Sequence, residues 1–329
     1  MSLPPTILRY LPYVPLLAAP ILLLSLGSKP TLPPSNRLPA PTDPGLASLP
    51  KDSRAREIYP EDWIEGGAYA ELPNGRVRYW LVGPENGRKI TLVHGLSIPA
   101  LAYKKIVPML VAAGFRVLLY DIYGRGYSDA PKDTPYDAKL YVTQLALLLQ
   151  HVRWESTAVV GFSMGGVITA AFVSAFPDLV DREVVFISSV GAWEKGFPGK
   201  SFLDRVKSYF STPPSDVGTL DEIGRLQSES LAGFSHAVQY SLSEGPVTRM
   251  HWAFKTPMWK GKRVFFMHGT HDPVVPPSFA PLLRGLVSEA QAGKGETQLM
   301  MIENGLHDVV WENPEEVGSA LVEFLVKGR

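Results

Sequence analysis

The stretch Gly161-Phe162-Ser163-Met164-Gly165 constrains this chain more than any other. An apolar run, Thr157-Ala158-Val159-Val160, leads into it, and the small and apolar residues 166–172 lead out. That order reads as strand, sharp turn, helix. A serine on such a turn is pushed out of the sheet into a strained, exposed position. Glycine on either side lets the backbone turn tightly and lets strand and helix pack closely. The helix points its free N–H groups at the serine, where they can stabilise a developing negative charge. The five-residue pattern alone carries little: with Gly and Ser each near ~7%, about one chain in ten of this length holds it by accident. Its weight comes from its setting and from the residues that could work with it.

A serine hydroxyl is a poor nucleophile at neutral pH and needs a base within hydrogen-bond reach. A histidine held by a carboxylate supplies one. In chains built on such a turn the order is serine, acid, histidine. Both partners occur here in that order, each just after an apolar run that reads as a strand. Asp272 follows Val264-Phe265-Phe266-Met267-His268, and His307 follows Met300-Met301-Ile302. Asp308, beside His307, is a rival carboxylate, but adjacent side chains rarely face each other usefully.

The rest of the pattern supports a parallel sheet covered by helices. Residues 63–72 and 75–82 read as two strands about the Asn74-Gly75 turn. Residues 89–94, 115–121, 157–161, 183–188, 262–268 and 297–302 read as further strands, several of them continuous apolar runs of the kind buried on both faces. Residues 100–113, 138–152, 164–176, 276–288 and 314–326 read as helices between and after them. Alternating strands and helices give a mainly parallel α/β sheet. Residues 191–258 break the alternation with an aromatic-rich, irregular insertion, which reads as a cap over the C-terminal edge of the sheet, where open α/β sheets bind ligands.

These features resemble the α/β-hydrolase family, and in particular its capped esterase, lipase and C–C hydrolase branch. The likeness spans about residues 63–329, within a domain read as residues 61–329. It rests on His94-Gly95-Leu96-Ser97, on Asp121-Ile122-Tyr123-Gly124-Arg125-Gly126-Tyr127-Ser128, on the turn around Ser163, on Gly269-Thr270-His271-Asp272-Pro273, and on His307 with Glu312-Asn313-Pro314, in family order. The resemblance implies an α/β-hydrolase fold and a cofactor-independent serine hydrolase acting on a small carboxylic ester; the apolar N-terminus and the aromatic cap point to a hydrophobic or lipid-like one. Ser163 would be the nucleophile, His307 the general base, Asp272 the orienting carboxylate, and the backbone N–H groups of Leu96 and Met164 the oxyanion hole. Phe162, Ser97 and Trp193 are candidate substrate contacts. Acyl transfer, perhydrolysis or C–C cleavage would use the same triad, and a non-catalytic binding protein could use the same fold. Dehalogenase and epoxide hydrolase chemistry is disfavoured, because those relatives carry a carboxylate where Ser163 stands. Phe162 and Leu306 depart from the His and Gly common in the family at those places. His94 reads as a structural hydrogen-bonding residue of the oxyanion loop, and His268 as a core or rim residue.

Composition narrows the alternatives. The formal net charge is zero, with no basic field for nucleic acid. Cysteine is absent, and no histidine cluster has ligand spacing, so no metal site is expected. Residues 10–28 carry no charge and approach the length of a bilayer span, though Pro12, Pro15 and Pro20 interrupt them. Residues 1–28 therefore read as a hydrophobic segment that associates with a membrane through residues 3–28; a cleaved signal or a buried soluble segment are the alternatives. Residues 29–60 are proline-rich and read as a linker, either a tether or a wrapping arm.

Overall fold

The computed structural model describes residues 42–193 and 220–327. The apolar segment 1–28, the first part of the proline-rich stretch and residues 194–219 of the insertion lie outside the described residues. The strands in chain order are β1 (Thr42–Asp43), β2 (Gly67–Leu72), β3 (Gly75–Val82), β4 (Arg88–Val93), β5 (Phe115–Tyr120), β6 (Ala130–Pro131), β7 (Thr157–Phe162), β8 (Val180–Ile187), β9 (Arg263–Gly269) and β10 (Glu296–Ile302). Eight of them form one sheet in the order β2-β3-β5-β4-β7-β8-β9-β10. Its first two pairings, β2 with β3 and β3 with β5, are antiparallel, and the rest are parallel. This is the α/β-hydrolase fold, with helices on both faces.

The apolar strand runs are divided between two cores by the two-residue period of the pleat. Leu118, Val159, Val184, Phe186, Val264 and Phe266 point into one core, with the helices Ala138–His151, Met164–Ala175 and Phe279–Gln291. Val117, Leu119, Val160, Val185, Ile187 and Phe265 point into the other, with the helices Val107–Ala112 and Pro314–Val326. Residues 100–113 are not one helix: a single 3-10 turn, Ala100–Tyr103, precedes Val107–Ala112. Pro108, which has no N–H to donate, fits only the first turn of a helix, so the second piece starts beside it.

The described part of the proline-rich stretch is a wrapping arm and does not stand off as a linker. β1 pairs antiparallel with β6. The Leu46 N–H donates to the Gly126 carbonyl at 2.8 Å. Leu46 and Tyr59 are fully buried. The Tyr59 hydroxyl donates to the Asp121 carboxylate, 3.0 Å from Oδ1, and the Tyr127 hydroxyl donates to the Tyr59 carbonyl. Prolines predict extended backbone, but the buried leucine and tyrosine between them decide where it lies.

The insertion is partly helical. Leu220–Ser230 and Ala232–Ser243 are successive helices joined at Leu231, the first bonded through Gln227 to Ser97 and Gly126 and the second through Ser241 to Arg125. The insertion ends earlier than residue 258: Phe254 and Trp259 pack on Phe186 of β8, with ring centroids 5.4 and 5.9 Å apart, so the body resumes near His251. Among the described residues no helix is long and apolar enough to cross a membrane.

Candidate active site

The parallel strands end on one rim, and their loops carry the candidate residues. Ser163 follows β7 with φ 55° and ψ −119°, a backbone region that favours glycine. Its own backbone is pinned on both sides: its N–H donates to the Ile187 carbonyl at 2.9 Å, and its carbonyl accepts from Gly166 N–H at 3.1 Å. The helix Met164–Ala175 begins immediately after it, so the N–H groups of its first turn point toward the serine. That helix can start so close to β4 only because residue 165 is glycine; a Cβ there would run into the carbonyl oxygens of Val93 and His94.

The loops after β9 and β10 are laced together. Thr270 N–H donates to the Ile302 carbonyl, and His271 N–H to the Gly305 carbonyl, both at 2.9 Å. Gly269 lies so near the backbone of Gly305 and Leu306 that a Cβ would collide with both. These contacts bring Asp272 and His307 together across 35 residues of sequence. His307 Nε2 lies 3.0 Å from Ser163 Oγ, and His307 Nδ1 lies 2.8 Å from Asp272 Oδ2. The three side chains are buried.

Asp272 is the end point of four donors. Its Oδ1 accepts from the N–H groups of Val274 and Val275, each at 2.8 Å. Its Oδ2 accepts from His307 and faces His268 Nε2 at 3.0 Å. His268 Nε2 also faces the Val275 carbonyl at 3.0 Å; both neighbours are acceptors, so this nitrogen carries the proton. Burial works against charge on Asp272, but the two histidines outweigh it and hold its pKa well below the usual carboxylate range. Burial pulls the His307 pKa down, and the Asp272 charge overcomes this and leaves it raised. Asp308 is not the partner of His307 Nδ1; its carbonyl accepts from the N–H groups of Trp311 and Glu312.

Opposite the triad, the loop after β4 approaches the serine: a Cβ on Gly95 would lie 3.2 Å from Ser163 Cβ. His94 Nε2 accepts from Ile122 N–H at 2.9 Å, so the ring proton sits on Nδ1 and is donated to the Gly95 carbonyl at 3.0 Å. Burial, then the charge of Arg125, pushes the His94 pKa down to about 3, which keeps this ring neutral. The Gly95 carbonyl and the Leu96 N–H belong to one planar peptide and point in opposite directions. By holding the carbonyl, His94 turns the Leu96 N–H the other way.

The remaining candidates are placed as follows. The Phe162 ring is buried against the His307 imidazole, centroids 5.3 Å apart, which leaves little of its surface for a substrate. Trp193 packs edge-on against Phe279 at 4.9 Å, beside the start of the helix that follows the Asp272 loop. Ser97 contributes its carbonyl to Gln227 Nε2 at 3.2 Å. Among the described residues no group of three or more potential metal ligands occurs. Sequence reasoning missed three residues. His268 reads in the sequence only as a core or rim residue, although its place four residues before Asp272 is visible there. Arg125 was quoted only as part of a motif, and Gln227, in the insertion, carried no signal.

Comparison with known proteins gives the same fold. A family model described as alpha/beta hydrolase fold matches residues 90–212. A protein named putative non-heme chloroperoxidase from Synechocystis sp. is 23% identical over 265 residues, 73% of this chain and 91% of that protein. The crystal structure of a carboxylesterase from Bacillus subtilis superposes with a TM-score of 0.66 at 19% identity, covering 84% of this chain and 96% of that one. A bromoperoxidase from Bacillus anthracis superposes with a TM-score of 0.64 at 21% identity, covering 79% and 99%. At these identities the structural likeness speaks for the fold. With the strand order and the matched segment, it shows that the chain has the α/β-hydrolase fold.

Proposed function

We propose that this protein is a cofactor-independent serine hydrolase that cleaves a carboxylic ester through an acyl-enzyme. The observation that carries the reading is the unbroken relay Ser163 Oγ–His307 Nε2–His307 Nδ1–Asp272 Oδ2, at 3.0 and 2.8 Å. In this reading Ser163 attacks the ester carbonyl while His307 takes the hydroxyl proton. The N–H groups of Leu96 and Met164 receive the oxyanion; one such donor is worth about 2.7–4 kcal/mol in the transition state. His307 then returns the proton to the departing alcohol. Water, deprotonated by the same imidazole, attacks the acyl-Ser163, and collapse of the second tetrahedral species frees the acid. Asp272 stays ionised throughout and holds the imidazolium.

The substrate class is a hydrophobic, lipid-like ester. The apolar residues 3–28, read as a membrane-associating segment, and the aromatic insertion support this. A fluorophosphonate probe tests the chemistry: the wild type should be labelled and Ser163→Ala should not. Equal labelling of both proteins would end the reading. The name of the Synechocystis relative motivates a second one, in which hydrogen peroxide replaces water in deacylation and a peracid is formed. Product analysis with and without peroxide separates the two.

A further inference from the structure

Three successive carbonyl oxygens of the loop after β4 are each held by a different side chain. His94 holds that of Gly95 at 3.0 Å, Arg125 Nε that of Leu96 at 2.8 Å, and Gln227 Nε2 that of Ser97 at 3.2 Å. His94 belongs to the loop itself. The other two reach it from elsewhere: Gln227 lies on the insertion helix Leu220–Ser230, and Arg125 is bonded to the second insertion helix. We propose that Arg125 and Gln227 are positioning residues through which the insertion sets the orientation of the Leu96 N–H. This rests on the hydrolase reading, in which that N–H receives the oxyanion.

The Arg125 guanidinium is fully buried, and its bonds go to neutral acceptors. Nε serves Leu96. Nη1 serves the Tyr123 carbonyl at 2.9 Å and the Tyr141 hydroxyl at 2.7 Å. Nη2 serves Ser241 Oγ at 2.9 Å and, at a longer 3.4 Å, the Ala237 carbonyl. A guanidinium has five N–H groups, and these five acceptors use them all. No donor remains for a substrate carboxylate or carbonyl, so the cation acts on the loop and not on a ligand. Ser241 and Ala237 lie on the insertion helix Ala232–Ser243, so the same cation ties that helix to Leu96.

Gln227 is fully buried as well. Its Oε1 accepts from Gly126 N–H at 2.6 Å, while its Nε2 donates to Ser97 and to the Ile223 carbonyl, both at 3.2 Å. It therefore joins the loop after β4 to the loop that carries Arg125. The amide accepts from one loop and donates to the other with the same planar group. If the insertion helices shift, both contacts to the oxyanion loop change together.

The test compares wild type with Gln227→Met, which keeps side-chain length and removes the hydrogen bonds, and with Arg125→Lys, which keeps the buried charge. Hydrogen–deuterium exchange is followed over residues 94–99 and 220–230, and kcat and KM are measured on a short-chain p-nitrophenyl ester. Loosening a donor without deleting it should lower kcat by about tenfold, short of the 10²–10³ of outright loss, with KM within about twofold. Exchange over 94–99 should rise in parallel. Should Gln227→Met fail to fold, Arg125→Lys is read the same way. Faster exchange in 220–230 with 94–99 and kcat unchanged would overturn the inference, as would a loss carried by KM alone. A wild type inert toward esters and fluorophosphonate would instead sink the hydrolase reading; the exchange comparison would still report whether the insertion holds the loop.

Discussion

Replacing Asp272 by Asn tests the electrostatic centre of the site. Four N–H groups converge on this carboxylate: Val274 and Val275 on Oδ1 at 2.8 Å, His307 on Oδ2 at 2.8 Å and His268 on Oδ2 at 3.0 Å. An amide offers one oxygen and one NH2. Its oxygen is best placed toward the two backbone donors, which leaves the NH2 facing His307. The imidazole then has to accept at Nδ1 and carry its proton on Nε2, so that it points a donor at Ser163 where a base is needed. The same inversion of tautomer in a serine protease costs about 10⁴ in kcat, or roughly 5.5 kcal/mol at 1.36 kcal/mol per tenfold, and a loss of that order is expected here. The pH dependence gives an independent sign. In the proposed hydrolase reading His307 must be neutral to act, so activity should rise with pH through its pKa. In the wild type the Asp272 charge raises that pKa, placing the acid limb of kcat/KM above the ordinary histidine value. Without the charge, burial pulls it down, and the limb of the residual activity should move to lower pH. Asp272 should also stabilise the fold: its depressed pKa contributes stability that is present above the unfolded carboxylate value and lost as pH falls through the folded value. The assay is kcat/KM against pH for both proteins. A variant within tenfold of wild type, or an acid limb that does not move, would refute the assignment of Asp272.

Two further predictions concern stability. Ser163→Gly should abolish ester hydrolysis yet raise unfolding free energy by about 1 kcal/mol or more, because φ 55° with ψ −119° strains any residue with a Cβ; no gain in a urea melt would mean that the turn is relaxed. Tyr59→Phe should destabilise by about 1.5–3 kcal/mol with an unchanged denaturant slope, because it removes a hydroxyl bonded to the buried Asp121 carboxylate. Burial raises the Asp121 pKa to about 7 against its donors from Ala100, Tyr127 and Tyr59, so losing one of them raises it further. A melt identical to wild type would mean that the Tyr59 hydroxyl adds nothing to the hold of the arm.

The fold, and the meeting of Ser163, His307 and Asp272, are legible in the chain because both depend on local signals. β7 reads as a continuous apolar run because both faces of it are buried, and the turn at Ser163 is marked by the glycines that its backbone and its neighbours require. Asp272 and His307 each follow such a run, and a parallel sheet necessarily delivers the ends of its strands to one rim. The arm was harder to read. Its prolines describe the backbone of residues 42–60, while the burial of Leu46 and Tyr59 depends on partners some sixty or more residues away.

The sequence alone determined the alternation of strands and helices, the sharp turn at Ser163, and the order in which Ser163, Asp272 and His307 follow one another. These are properties of short windows, set by side-chain period and by backbone sterics. Only the tertiary structure decided that His268 shares the Asp272 carboxylate, that Asp308 does not hold His307, and that Arg125 and Gln227 grip the loop carrying Leu96. A hydrogen bond needs placement to within a few tenths of an ångström, and between residues a hundred positions apart that placement is created by the packing of whole elements.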